Sequence, residues 1–202
     1  MNQLTELYPT IRRYAPNVLN RLMLDALQRA HHKFCQSTGA YKVTRLLSTQ
    51  TGQSDYDLNL PDKTTVEEIL SVREENTDNF VSICHDKSEL RQTRKSKKPD
   101  NIVIFDYNEV RFEPVPDNEY RFVLDLQLLP QLDATEMDST IYQKYGDGIA
   151  YGAAADLLLM PAEKFFNPQL SEFLERKFKA AKRHAMNDQV NVSKGAVGSC
   201  FI

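Results

Sequence analysis

Two clusters of basic residues are the feature of this sequence best suited to binding another molecule. Each gathers several cations within a short span, and the first contains no acid. The first cluster is Arg91, Arg94, Lys95, Lys97 and Lys98, and the second is Arg176, Lys177, Lys179, Lys182 and Arg183. Such clusters bind phosphate groups or acidic protein surfaces, although each alone is also typical of a solvated loop or helix face. Both interpretations stay open at this point.

Neither cluster carries the signs of base recognition. No aromatic residue is interleaved with the first cluster, and Phe178 in the second belongs to an apolar stripe, so stacking on single-stranded bases is not expected. Nothing marks a recognition helix with polar side chains directed outward at its start. The chain has 25 basic and 28 acidic residues, so there is no global excess of positive charge. We therefore expect any contact with DNA to be independent of base sequence.

Motifs for catalysis are missing from the sequence. It contains no glycine-rich phosphate loop, no Gly-x-Ser-x-Gly elbow and no His-Glu-x-x-His. A zinc site built from His31, Cys35, Cys84 and His85 is the one metal hypothesis, but neither pair has the compact spacing of a zinc module. The competing interpretation is a small buried cysteine beside surface histidines. We expect no enzymatic activity, no cofactor and no metal.

The elements that would position these residues are helical at both ends of the 202-residue chain and extended in the middle. Apolar residues recur every three or four positions in three segments, which predicts three helices. The first spans 17–38, the second ends at Pro161, and the third begins at Asn167-Pro168. Asp133 with Glu136 forms one candidate cap of the second helix, and Asp138 forms another. Alternating apolar residues predict strands at 55–60, 66–72, 80–84, 101–105, 110–113 and 120–128, the last three as an antiparallel meander.

Glycines within the second helix predict that a neighbouring helix approaches it closely. Gly146, Gly148 and Gly152 lie inside the helical pattern rather than at a strand-to-helix turn, which argues against a nucleotide site. Each glycine costs about 1 kcal/mol relative to alanine in a helix, so close packing is the expected compensation.

These patterns predict an α+β protein. Residues 1–40 and 133–190 would form a helical core from one N-terminal and two C-terminal helices, residues 41–132 an inserted antiparallel β-rich sub-domain, and residues 191–202 a flexible C-terminal tail. With 41% hydrophobic and 26% charged residues, the chain is not collagen-like, low in complexity or wholly disordered. Three widely spaced cysteines favour a reducing compartment. We also expect a soluble protein without a secretory signal.

The order of several motifs resembles the head-to-tail adaptor proteins of tailed bacteriophages, also called connector or head-completion proteins, of the tail tubular A type. The resemblance covers most of residues 7–183, and Tyr41 or a neighbour, together with Phe166, stands where members of that family often carry Trp. The motifs are Leu7-Tyr8-Pro9, Ala15-Pro16-Asn17, 26–30, 34–38, 56–61, Pro114-Val115-Pro116, Tyr120-Arg121-Phe122, Leu128-Leu129-Pro130, 149–153, 157–161 and Phe166-Asn167-Pro168.

The resemblance implies a structural virion protein made in the host cytoplasm. Its subunits would form a ring, commonly of about twelve copies, that docks on the portal protein, extends the DNA channel and carries the next tail component, a nozzle or tail-tube protein. Eight acids against two bases over 55–78, beside the first basic cluster, would supply complementary surfaces between copies. Partner or channel contacts are expected at Arg91, Arg94, Lys95, Lys97, Lys98, Arg176, Lys179, Arg183, Phe201 and Ile202. The alternative is a DNA-binding or packaging accessory protein.

Overall fold

The computed structural model describes residues 1–75, 77, 79–84, 96–106, 108–161 and 163–197. It confirms the α+β class. The chain divides into two compact units, one formed by Met1–Tyr41 with Pro130–Ile202 and the other by Lys42–Leu129. The boundaries expected from the sequence were 40/41 and 132/133.

The first unit is mainly helical. A short 3-10 helix at Leu4–Leu7 precedes α1 (Tyr8–Arg12), α2 (Asn20–Thr38), α3 (Ser139–Leu158) and α4 (Pro168–Val197). Two short strands, β1 (Asn2–Gln3) and β9 (Glu136–Met137), pair antiparallel. Aromatic side chains from three helices meet in its core, where the Phe34 ring lies 5.3 Å from that of Tyr145 and 6.3 Å from that of Phe178.

Helix α2 begins three residues later than the sequence predicts. Asn17 has a φ of 67°, which lies in the left-handed region and is incompatible with a right-handed helix at that residue. The helix ends as predicted, since Gly39 adopts φ 60° and donates its N–H to the Cys35 carbonyl at 2.9 Å.

Helix α3 uses the second of its two candidate caps. The Asp138 carboxylate accepts hydrogen bonds from the N–H groups of Thr140 at 2.8 Å and Ile141 at 3.2 Å. The capping box at Asp133 is wrong because Glu136 belongs to β9, where its backbone pairs with Gln3.

Helix α4 begins as predicted but continues beyond the predicted end of the periodic pattern. The Asn167 side chain accepts the Leu170 N–H at 3.0 Å, one position before Pro168 opens the helix. Residues 191–202 were predicted to form a flexible tail, yet the helix extends to Val197. A single glycine, Gly195, costs only about 1 kcal/mol in a helix and does not end it. Phe201 and Ile202 lie outside the described residues.

The described residues of the second unit form two sheets. Its strands are β2 (Lys42–Ser48), β3 (Asp55–Asp57), β4 (Thr64–Glu74), β5 (Ser82–Cys84), β6 (Asn101–Asp106), β7 (Glu109–Glu113) and β8 (Arg121–Pro130). One sheet has the order β2-β8-β4 and the other the order β3-β7-β6-β5. Phe112 of β7 and Phe122 of β8 stack with ring centroids 4.9 Å apart, so an aromatic core joins the two sheets.

The predicted meander is correct for its first two strands and wrong for the third. Strands β6 and β7 pair antiparallel, but β8 belongs to the other sheet because β2 and β4 occupy both of its edges. Strand β2, which pairs with β8 over all seven of its residues, was not among the predicted strands. Apolar and polar residues do not alternate regularly along Lys42–Ser48, so the pattern typical of a strand is weak there.

The glycines of α3 differ in how closely α4 approaches them. A methyl group on Gly148 would overlap the Ala181 methyl, and one on Gly152 would lie 2.9 Å from the Phe178 ring. These two positions confirm the predicted close approach. At Gly146 the nearest atom to such a methyl is Leu7 Cδ2 at 3.4 Å, the end of a flexible side chain.

Replacing Gly148 by alanine therefore tests the helix contact. We expect Gly148→Ala to lower the free energy of unfolding by about 1–3 kcal/mol, because overpacking exceeds the gain in helix propensity. The control Gly146→Ala should be neutral or stabilising by up to about 1 kcal/mol. Urea denaturation measures both variants, and equal stabilities would contradict the assignment of the contact.

Burial of His31 makes stability depend on pH. The side chain is 1% exposed, and within the described part of the chain its Nε2 has no hydrogen-bond partner. Burial, reinforced by His32 and opposed by Asp138, lowers the pKa of His31 to about 4. The unfolded chain therefore binds a proton at a higher pH than the folded chain does.

We expect this stabilisation to be complete above pH 6.5 and to be lost as the pH falls towards 4. The total loss is about 3 kcal/mol, from the difference between the two pKa values. Denaturation at several pH values should show a shallower slope for His31→Leu than for the wild type. Met23→Leu, a substitution at another buried position of α2 that carries no titrating group, is the control and should retain the slope. An unchanged slope in His31→Leu would refute the assignment.

Candidate interaction surface

The first basic cluster is described only in part. Arg91, Arg94 and Lys95 lie outside the described residues, as does His85. Lys98 is described, and its Nζ donates to Glu74 at 2.8 Å and lies 5.6 Å from the centre of the Tyr120 ring. The hydrogen bond from Lys98 is the main reason that the pKa of Glu74 is lowered. The charge of Lys98 is thus used within its own unit.

Other acids of the 55–78 stretch are also paired within this unit. Asp55 accepts two hydrogen bonds from Arg111, at 2.6 and 3.0 Å. Glu75 lies 3.6 Å from the Arg121 guanidinium. Lys98 and Glu74 thus pair with each other within one chain, and complementary surfaces between copies stay a prediction.

The second basic cluster lies on the exposed side of α4. The helix buries Ser171, Leu174, Phe178 and Ala185, and Arg176, Lys179 and Arg183 are exposed on its other side. Arg176 pairs with Glu172 at 2.8 Å and Lys179 with Glu175 at 3.6 Å. Exposed pairs four residues apart contribute only about 0.3–0.5 kcal/mol, so both cations stay available to an external anion.

Aromatic rings support two further lysines of this cluster. The Lys177 Nζ lies 4.9 Å from the ring centres of both Tyr151 and Phe173. It thereby partly covers the Phe173 ring, which is 49% exposed. The Lys182 Nζ lies 4.4 Å above the Phe178 ring, and partial burial lowers the pKa of Lys182. Packing on rings restrains these chains, so their charges are partly preorganised.

Four of these cations surround one shallow depression of about 440 Å³. Its lining consists of Arg176, Lys179, Lys182 and Arg183. No carboxylate lines it in the described structure, and Arg183 forms no ion pair with any described residue. Point charges held on a rigid helix can bind phosphates or carboxylates, whereas they offer no nucleophile or general base.

A polar contact that sequence reasoning missed holds this helix in place. The Tyr145 hydroxyl donates to Asp188 at 2.5 Å, and His184 lies 3.6 Å from the same carboxylate. Burial, with Asp188 as the next cause, raises the pKa of Tyr145 to about 12. The four-residue spacing of His184 and Asp188 was the only sequence signal for this contact. Tyr145 belongs to a different helix, so its proximity to Asp188 could not be read from spacing.

The described residues contain no arrangement suited to a metal. No group of three or more histidine, cysteine, aspartate or glutamate side chains converges among them. Cys35 is buried, and this burial raises the pKa of its thiol to about 12. The Cys84 thiol lies 3.8 Å from the Asn101 side chain.

Of the helices described, none combines the length and apolar character needed to cross a membrane.

Comparisons with protein families and with curated proteins give no match to this sequence.

Removing the Tyr145 hydroxyl tests how α4 is fixed. We expect Tyr145→Phe to destabilise the protein by about 1–2 kcal/mol, because Asp188 loses its donor in a half-buried position. Hydrogen exchange should accelerate for residues 184–190. Tyr8→Phe serves as the control, since the Tyr8 hydroxyl has no hydrogen bond to any described residue. Equal protection in both variants would show that the contact does not hold the helix.

Proposed function

We propose that this chain is a subunit of the head-to-tail adaptor ring of a tailed bacteriophage. It would dock on the portal protein, extend the DNA channel and carry the downstream tail protein, and it would reside at the head-tail interface of the virion. The sequence resemblance over residues 7–183 supports this proposal. The finer organisation belongs to the proposal as well: a core of one N-terminal and two C-terminal helices into which the β-rich unit is inserted.

The observation that carries the proposal is the cationic depression on α4. Its four positive side chains are fixed to a helix that is itself packed against α3 through glycines. A surface of this kind suits a rigid scaffold that contacts phosphates or an acidic protein surface. The partner of this face is either the DNA in the channel or an acidic surface of the portal.

Reversing three charges of this face tests the proposal. We expect wild-type protein to add a ring of density beneath the purified portal in electron micrographs. The triple variant Arg176→Glu, Lys179→Glu, Arg183→Glu should lose at least about tenfold in occupancy, as expected when several favourable charge contacts become repulsive. The measurement is occupancy across portal particles, with light scattering before and after portal is added.

The control changes the same number of charges elsewhere. Arg21, Lys42 and Lys144 are exposed, and their replacement by glutamate alters the net charge equally. This control should dock like the wild type. If wild-type protein adds no density to the portal, the adaptor proposal is wrong. If the wild type docks and the α4 variant docks equally well, the basic face is not the contact.

The alternative, a DNA-binding accessory protein, draws on the same cationic face. Such a protein binds free duplex DNA with an affinity that falls steeply as the salt concentration rises. The logarithm of its association constant falls by about 0.9 per phosphate contact for each tenfold increase in salt concentration. An adaptor is expected to show no measurable affinity for free DNA. Fluorescence anisotropy with a labelled duplex at two salt concentrations distinguishes the two functions.

A further inference from the structure

The edges of the two sheets of the second unit line one groove. Strand β2 ends the order of the first sheet, and β3 ends the order of the second. A groove of about 390 Å³ runs between them, with residues 44–48 on one wall and residues 56–59 on the other. Both walls therefore include an edge strand.

The outer backbone groups of β2 point into this groove. Thr49 donates its N–H to Tyr120 at 2.8 Å, and bonded and non-bonded pairs alternate along an antiparallel ladder. Thr44, Leu46 and Ser48 thus direct their N–H and C=O groups away from β8. These groups have no hydrogen-bond partner among the described residues.

Strand β3 presents a matching group on the other wall. Leu58 donates to Asn108 at 3.0 Å and Phe112 donates to Ser54 at 2.9 Å. By the same alternation, the backbone of Asp57 faces away from β7 and towards the groove. Two edges of this kind are a template for an added strand.

Arg45 supplies a second, independent observation. Its Nε is buried, and the guanidinium forms neither a hydrogen bond nor an ion pair with any residue that the structure describes. A buried cationic donor without a partner is costly. The groove also has apolar lining, from the buried Leu47, Tyr56 and Leu58, and Leu46 is 57% exposed beside it.

The chemistry of β2 argues against a second copy of the same strand as the occupant. The segment Lys42–Ser48 contains two cations and no acid. Antiparallel pairing of two such strands would bring one Arg45 near the other, which is repulsive. The occupant needs a carboxylate where β2 has its arginine.

We propose that this groove binds an extended peptide segment of another protein, which adds to β2 as a strand and pairs an acidic side chain with Arg45. The mode is strand addition: backbone hydrogen bonds to Thr44, Leu46 and Ser48 give affinity, and the Arg45 pair gives specificity. Apolar side chains two positions before and after the acid contact the groove beside Val43 and Leu47. This inference does not depend on the adaptor proposal.

The probe is a capped heptapeptide, Thr-Val-Thr-Glu-Thr-Val-Thr, whose glutamate and two valines share one face of a strand. We expect the amide NMR signals of residues 44–48 and 57–59 to shift as the peptide is added to about 1 mM, a range that detects weak binding. A lysine in place of the glutamate, or N-methylation of the amides that face β2, should weaken binding at least about tenfold.

Two variants of one residue separate backbone pairing from side-chain contact. Leu46→Pro removes an outward N–H that the β8 ladder does not use, so the fold is retained and peptide affinity should fall at least about tenfold. Leu46→Thr keeps the N–H and should bind within about twofold of the wild type. Arg45→Met should abolish the preference for glutamate over lysine in the peptide.

Several results would overturn the proposal. They are the absence of shifts in the groove with the glutamate peptide, equal binding of the N-methylated peptide, and equal binding by both Leu46 variants. Shifts at these residues that depend on protein concentration alone would instead assign the groove to a contact between copies of this chain.

Discussion

The close approach of α3 and α4 determines what the helical unit presents to solvent. Gly148 and Gly152 let Ala181 and Phe178 reach the α3 backbone, and Ser171 donates to the buried Ala155 carbonyl at 2.8 Å. Once this face of α4 is committed to the core, helical geometry directs Arg176, Lys179 and Arg183 outward. The cationic face is therefore a consequence of small residues on a different helix.

Electrostatics in the two units follow different rules. In the β-rich unit, acids and bases that are distant in sequence pair with each other, as Asp55 does with Arg111 and Glu74 does with Lys98. On α4 the pairs are local and exposed, so the cations remain available to an external anion at little energetic cost. A charge cluster thus stays available to an external partner where its internal ion pairs are local and exposed.

The parts of the fold that the sequence predicted are those governed by local rules. The α+β class, the Gly39 end of α2, the Asn167-Pro168 start of α4 and the packing role of Gly148 all follow from short-range patterns. The errors involve distant partners: β9 displaced the Asp133 cap, and β2 and β4 removed β8 from the meander. On the surface, the exposure of Arg183 and the pairs Glu172–Arg176 and Glu175–Lys179 follow the periodicity of a helix. The Tyr145–Asp188 contact joins two helices, so spacing within one helix does not give it.

The buried thiol of Cys35 gives this protein an internal reporter of opening. Burial raises the pKa of this thiol to about 12, so it stays protonated at neutral pH, whereas the thiolate is the reactive form. Because Cys35 lies on the inner face of α2, an alkylating reagent reaches it only when that helix separates from its neighbours. The rate of its modification thus reads the frequency of this event in the native state.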